Sequence, residues 1–265
     1  MEIRTQPRHE SAHPIRIGCA GWSIGSAHRR CFGGDGTALE RYASRLDAVE
    51  LNSSFYGAHQ PATYARWAAS VPQAFRFSVK VPKAITHERG LLGTAPLVDR
   101  FLGECLQLGD KLGGLLVQLP PSLVFEGRRA NAFFAVLRRR LPEGVAIACE
   151  PRHPSWFGEQ ALPIWNRHAV NRLAADPVPV AMASAMDPGT EGQWCYWRLH
   201  GSPRTYYSAY QPEFLAHLAT RLKQAAALKP VWVIFDNTAA GHAIANALEL
   251  KKLMGKGVKP TEASA

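Results

Sequence analysis

A chain of 265 residues with 46% hydrophobic and 20% charged side chains is long enough to bury a large core, and that balance excludes a disordered, collagen-like or membrane-embedded polymer. The formal charge of +10, from 31 Lys+Arg against 21 Asp+Glu, creates a field that attracts nucleic acid and other polyanions. Five scattered cysteines with no CxxC spacing read as reduced thiols and exclude a disulfide framework or a zinc knot.

The first stretch, MEIRTQPRHESAHP, is polar and lacks an apolar signal region, and no later run approaches the roughly 18 apolar residues of a membrane span. A cytoplasmic protein with no membrane partner is therefore expected, with a flexible N-terminus over 1–14. Short apolar or alternating runs then recur in chain order: IRIGCA (15–20), DAVELN (47–52), FRFSVKVP (75–82), GLLVQLP (114–120), VAIACEP (145–151), NRLAADP (171–177), CYWRLHG (195–201) and VWVIFDN (231–237). Their spacing of about 30 residues is that of a βα unit.

Helical periodicity fills the gaps: Leu39, Tyr42, Ala43 and Leu46; then Leu97, Phe101, Cys105 and Leu108; then Phe214, Leu215, Leu218 and Leu222. Alternating strands and helices predict a parallel α/β sheet covered by helices. Eight such units favour a single (β/α)8 TIM-like barrel over an open doubly wound sheet, and no GxGxxG turn follows the first strand, so no nucleotide-cofactor motif is present. No linker divides the chain, so one domain is expected over 15–254, followed by a flexible tail over 255–265. The basic runs Arg128–Arg129 and Arg138–Arg140 and the tail from Lys251 fall at predicted helix ends or solvated faces.

In barrels of this kind chemistry is found at the C-terminal ends of the strands. Here strand two ends in Glu50 and Asn52, three in Lys80, four in Gln118, five in Glu150 and Arg152, six in Asp176, seven in Arg198 and His200, and eight in Asp236 and Asn237. Period-two alternation turns Phe75, Phe77 and Val79 toward the helices and Arg76, Ser78 and Lys80 inward. The same reasoning groups Glu50 with Ala48 and Asn52, Glu150 with Ala148, Asp176 with Arg172, and His200 with Arg198. It thus predicts Arg76, Arg172 and Arg198 inside the barrel near Glu50, Glu150 and Asp176. Buried charges need partners, so this set reads either as an ion network that fixes strand register or as a functional site.

The stretches GWS, VELNSSFY, FRFSVKVPKAITH, LLVQLPPS, CEPRHPSW, YWRLHG and IFDNTAAGHAIANA closely resemble the YecE-like family, catalogued as domain of unknown function 72. The resemblance runs from about Ile15 to Leu253. It implies one TIM-like barrel and supplies no reaction. The family's signature positions here include Gly21, Trp22, Glu50, Asn52, Phe55, Tyr56, Lys80, His87, Gln118, Glu150, Arg152, His153, Trp156, Arg198, His200 and Asn237. Two departures stand out: Asp236 where the family commonly has Asn, and SIGSAHRRCFGGDG in place of an aromatic-rich stretch.

From these readings Glu50, Glu150 and His200 are the candidate catalytic groups, able to act as general acid or base. Trp22, Asn52, Tyr56, Lys80, Gln118, Arg152, His153, Arg198, Tyr206 and Asn237 are candidate substrate contacts. The cations Lys80, Arg152 and Arg198 suit a phosphate or carboxylate, so an anionic small-molecule substrate fits best. His87, His153, His200, Glu50, Glu150, Asp176 and Asp236 include ligand types sufficient for a divalent metal, yet no tight ligand spacing such as HExxH occurs. The loop GSPRTYYSAY (201–210) offers Tyr206, Tyr207 and Tyr210 beside Arg204, able to stack bases or simply to pack beneath the loop. Two functional classes follow: a barrel-mouth enzyme, a hydrolase or isomerase, acting by acid–base chemistry, with or without a divalent metal, on a phosphate-bearing small molecule or a nucleic-acid end, or a non-catalytic nucleic-acid-binding barrel. The sequence leaves the oligomeric state open.

Overall fold

Each strand must cover one face with helices and fill a barrel with the other. The structure, a computed structural model, describes residues 13–179, 187–189 and 191–255. The expected flexible ends lie outside the described residues except for His13, Pro14 and Gly255. Nine parallel strands follow in chain order: β1 (Ile15–Ala20), β2 (Ala48–Leu51), β3 (Arg76–Lys80), β4 (Leu112–Gln118), β5 (Ala146–Glu150), β6 (Val170–Arg172), β7 (Ala174–Asp176), β8 (Cys195–Leu199) and β9 (Val231–Phe235). Their order in the sheet is β6-β5-β4-β3-β2-β1-β9-β8-β7.

The two edge strands of that order are consecutive in the chain, with only Leu173 between them. β6 pairs with β5 and β7 with β8, while the Leu173 N–H donates to the Cys149 carbonyl at 2.9 Å. The sixth strand expected from the sequence is therefore shared between two neighbours, and the sheet forms a nearly closed TIM-like barrel. Helices α1 (Ala38–Ala43), α2 (Ser53–Tyr56), α3 (Pro61–Ala69), α4 (Ala95–Cys105), α5 (Gly127–Arg140), α6 (Leu162–His168), α7 (Pro212–Ala226) and α8 (His242–Gly255) follow the strands. Leu39 and Tyr42 of α1, Phe101 and Cys105 of α4, and Leu215 and Leu222 of α7 pack in one cluster with the outward strand residues Phe77, Val79 and Ile147. Among the described residues no helix is long and apolar enough to cross a membrane.

A second cluster fills the barrel interior: Ala48, Leu116, Ala146, Ala148, Leu173, Ala175, Trp194, Tyr196, Trp232 and Ile234. Its floor is aromatic. Trp194 meets Trp232 edge to face at 5.0 Å and Tyr196 at 4.9 Å, and Tyr196 stacks on Trp232 at 6.0 Å. Such bulk requires absent side chains opposite: a Cβ at Gly114 would lie 2.4 Å from the Trp194 ring and 2.8 Å from the Ala146 carbonyl oxygen. Gly114→Ala is accordingly expected to cost about 1–3 kcal/mol by overpacking, read as a lower urea midpoint; an unchanged midpoint would mean that the indole can yield.

The inner face follows the predicted parity on most strands. Trp194, Tyr196, Arg198 and His200 face in along one strand, as do Ala146, Ala148 and Glu150 along another. Strand six is the exception. Leu173 and Ala175 fill the interior, so Arg172 and Asp176 lie on the outer face, where Arg172 sits over the Phe157 ring and Asp176 Oδ1 accepts from the Tyr210 hydroxyl at 2.8 Å. Both alternations of NRLAAD contain polar and apolar residues, so period two could not choose between faces. Arg76 is a further correction: it stands at the opposite end of the barrel from the carboxylates, and its Nη1 donates to the carbonyls of Gln73 and Phe75 at 2.7 and 2.9 Å.

Several excess cations hold the scaffold. Arg138 donates to the carbonyl oxygens of Val145, His168 and Ala169, Arg140 pairs with Asp99, and Lys251 pairs with Asp47 at 2.7 Å.

Candidate active site

Arg198, near the end of β8, is the hub of the barrel mouth. Parity turns it inward, and its neighbours in the ring are three carboxylates. Its Nε donates to both Glu50 oxygens at 3.0 Å and its Nη2 to Glu50 Oε1 at 2.7 Å. Nη2 also meets Asp236 Oδ2 at 2.9 Å, and Nη1 donates to Glu150 Oε2 at 2.9 Å. Burial works against the guanidinium's charge, but Asp236, Glu50 and Glu150 outweigh it and hold its pKa well above the usual value. Beneath this hub the Tyr196 hydroxyl lies 2.8 Å from Glu50 Oε2 and 3.2 Å from Ser78 Oγ. Glu50 is thereby surrounded by donors and closed off from solvent.

Glu150 ends β5 as the acceptor for a second ring of donors. Its Oε1 accepts from Arg152 Nε and Nη2 at 3.0 and 2.8 Å and from Gln118 Nε2 at 3.3 Å. His200 Nε2 lies 3.2 Å from the same oxygen, and His200 Nδ1 lies 3.0 Å from Asp236 Oδ2. An imidazole with a carboxylate at each nitrogen satisfies both contacts only when both nitrogens carry protons. Burial alone drives His200 toward neutrality, yet Glu150 and Asp236 prevail over burial and Arg198 and raise its pKa. In turn, burial would raise the pKa of Glu150, but Arg198, His200 and Arg152 hold it well below the usual carboxylate range. Asp236 is likewise held low, its burial offset by Arg198 and His200.

Lys80, at the end of β3, differs from the other cations. It is only 6% exposed, its Nζ stands 4.0 Å from the centre of the Phe55 ring, and among the described residues it forms no ion pair. Burial, followed by the charge of Arg198, lowers its pKa to about 8 despite Glu50, Glu150 and Asp236. His87 packs edge to face on the same Phe55 ring at 5.0 Å, with Nδ1 2.9 Å from Thr86 Oγ1. Burial, Lys80 and Arg152 lower its pKa. Asn52 reaches Asp236 Oδ1 with its amide at 3.5 Å, and its own Oδ1 is buried with no hydrogen-bond partner among the described residues.

The structure thus brings Glu50, Glu150, His200, Arg198, Arg152, Gln118 and Asn52 into one polar network, with Lys80 beside it. It places other candidates elsewhere. Trp22 packs on Trp67 at 5.1 Å. Tyr56, 75% exposed, packs edge to face on Phe55 at 5.0 Å. His153 caps the turn Pro154–Phe157, its Nδ1 accepting from the Ser155 N–H at 3.2 Å. Asn237 donates to the Ser208 carbonyl at 3.0 Å and to Asn246 Oδ1 at 2.9 Å, tying down the loop after β8. That loop turns at Gly201, where φ is +95° and a Cβ would lie 2.7 Å from the Ser208 carbonyl oxygen. It sets the Tyr206 ring edge-on to His200 at 5.6 Å and beside Arg152. Tyr210 is buried under the loop, stacked on Phe214 at 4.5 Å, whereas Tyr207 is exposed with Arg204 over its ring at 4.2 Å.

Tyr196 was not among the sequence candidates, although its parity with Arg198 and His200 would have placed it below them. Asp236 was noted at a strand end, but only the structure shows it clasping both His200 and Arg198. Among the described residues no group of three or more His, Cys, Asp or Glu is arranged to hold a metal ion. Glu150, His200 and Asp236 are adjacent, but their donor atoms face one another and the arginines, an environment unsuited to a cation.

Comparison with known proteins agrees with this architecture. YecE of Escherichia coli K12 is 32% identical over 152 residues, a match covering 56% of this chain and 55% of that protein's length. YunF of Bacillus subtilis is 23% identical over 268 residues, covering 91% and 94%. A DUF72 family protein of Enterococcus faecalis superposes with a TM-score of 0.74 at 23% identity over 94% of this chain and 100% of its own. One of Thermotoga maritima gives 0.74 at 22%, over 92% and 100%; these likenesses show the fold. The family model described as "Protein of unknown function DUF72" matches residues 16–265, and the chain therefore belongs to the DUF72 family.

Proposed function

We propose that this barrel is an enzyme whose mouth binds an anionic, phosphate-bearing small molecule or nucleic-acid end and works on it by acid–base chemistry, with His200 as the proton carrier. The observation that carries the reading is the distribution of charge at the strand ends. Three carboxylates are consumed by Arg198, Arg152 and His200, which leaves the buried Lys80 without an acidic partner among the described residues. A desolvated cation with no counter-ion favours an incoming anion.

His200 fits a general acid because the carboxylates of Glu150 and Asp236 raise its proton affinity against burial, whereas Glu50 and Glu150 are better described as supports of Arg198 and, for Glu150, of His200. The unpartnered Asn52 oxygen offers a hydrogen-bond acceptor to a substrate hydroxyl.

A thermal-shift screen of sugar phosphates and nucleoside monophosphates tests this reading, since a ligand of the folded state raises the melting temperature by mass action. Hits are expected to be turned over by the wild type and bound but not turned over by His200→Asn. A screen with no phosphate-bearing hit, or hits that neither protein converts, would count against it. The second reading, a non-catalytic nucleic-acid-binding barrel, draws on the exposed Tyr206 and Tyr207 beside Arg204 and predicts binding that weakens steeply with salt.

A further inference from the structure

We infer that Lys80 is a nucleophile of this site, forming a Schiff base with an aldehyde or ketone that carries a phosphate or carboxylate group. The inference rests on the functional reading above and narrows its substrate to a carbonyl compound and its reaction to the isomerase type.

A lysine serves as an amine nucleophile when its surroundings do not fix the ammonium form. Lys80 meets that condition by position. It is almost wholly buried at the end of β3, it lies against the Phe55 ring, and the nearby carboxylates belong to other cations. Lys83, three residues on, provides a contrast: its side chain is 49% exposed and paired with Glu88 at 3.3 Å. With its pKa at about 8, Lys80 presents a neutral amine at a pH where an ordinary lysine is almost entirely charged. A base stands on the same aromatic ring, since His87 shares Phe55 with Lys80 and is biased toward its neutral form.

The Lys80 nitrogen attacks the carbonyl carbon, forming the C–N bond and breaking the C–O π bond. The oxygen takes a proton from the His200 imidazolium, and His87 accepts a proton from the attacking nitrogen. His87 returns that proton to the hydroxyl, which leaves as water as the nitrogen lone pair forms the iminium. No electrons are exchanged with an outside oxidant or reductant. The iminium acidifies the adjacent C–H, so proton transfer α to the former carbonyl is the reaction it prepares.

The test is reductive trapping of the full-length protein with dihydroxyacetone phosphate and sodium cyanoborohydride between pH 6 and 10, followed by peptide mass mapping. Lys83 is the internal reference. At pH 8, Lys80 is expected to be labelled at least roughly tenfold faster than Lys83, with a rate that levels off near its own pKa of about 8. Lys80→Arg should keep the fold, judged by circular dichroism, and show no preferential adduct elsewhere. Labelling of Lys80 no faster than Lys83, or a preferential adduct that persists in Lys80→Arg, would overturn the inference. Inorganic phosphate separates the anion site from the nucleophile. If it protects Lys80 selectively, both stand. If it raises the melting temperature but no adduct forms, the Schiff base falls and the anion site remains. If Lys80 is labelled rapidly but phosphate neither protects nor stabilises, the nucleophile stands and the anion reading falls.

Discussion

Arg198→Met is expected to destabilise the barrel by about 3–5 kcal/mol, because removing one partner from a buried ion cluster leaves uncompensated charge. Here three carboxylates, Glu50, Glu150 and Asp236, converge on the guanidinium, so methionine fills the volume and leaves them facing one another. Urea unfolding reads the loss as a lower midpoint. The pH dependence identifies its cause. In the wild type Glu150 and Asp236 have depressed pKa values, so their stabilisation is present above the unfolded values of 4.5 and 3.8 and is lost as pH falls through the folded ones. Without Arg198 the carboxylates repel, so part of the lost stability is recovered as the pH is lowered and protons neutralise them. A variant within about 1 kcal/mol of wild type at pH 7 would show that the cluster is not the electrostatic keystone of the mouth.

The second large effect belongs to Glu150→Gln. The structure surrounds this carboxylate with donors from Gln118, Arg152, Arg198 and His200, so an amide turns an NH2 group toward at least one of them. A loss of about 3–5 kcal/mol is expected for a broken buried pair, together with a fall in the His200 pKa. His200 is raised above its ordinary 6.5 in the wild type; its contribution to stability is fully present below 6.5 and disappears as pH rises through the folded value. Glu150→Gln should shrink that pH-dependent part, leaving only the Asp236 side of the clasp. Following the imidazole signals of His200 by NMR across pH 5 to 9 measures the shift directly, and an unchanged titration would mean that Asp236 alone sets the proton affinity.

Much of the barrel was legible because eight apolar runs recur at the spacing of βα units, and every one of them forms strand. The splitting of the sixth at Leu173 was not legible, since a strand that changes partner leaves no mark on composition. Parity found inward positions on strands carrying one clear apolar alternation, such as Ser78 of FRFSVK beside Tyr196, but could not tell that Arg76 of that strand stands at the far end from the carboxylates, and it failed on NRLAAD, where Leu173 and Ala175 rather than Arg172 and Asp176 face the axis. Burial was the missing information, and it is a tertiary property. The polar strand ends were visible as a group, but the hierarchy among them was not. Arg198 as hub, Asp236 as a shared clasp and Lys80 as a buried cation with no ion pair among the described residues emerge only when distances around the ring are known. Residues such as His153 and Asn237 occupy motifs as prominent as those of His200, yet their side chains hold turns and loops.

A high-resolution crystal structure grown or soaked in phosphate decides whether the mouth holds an anion. The barrel's opposite end supplies an internal control, because a cavity of about 650 Å³ lined by Arg16, Arg76, Trp194 and Trp232 opens there. Phosphate density is expected within hydrogen-bonding distance of Lys80 Nζ and Arg152 at the C-terminal end of the strands. A well-ordered mouth that contains only water at saturating phosphate, or phosphate bound solely among Arg16 and Arg76, would overturn the anion site.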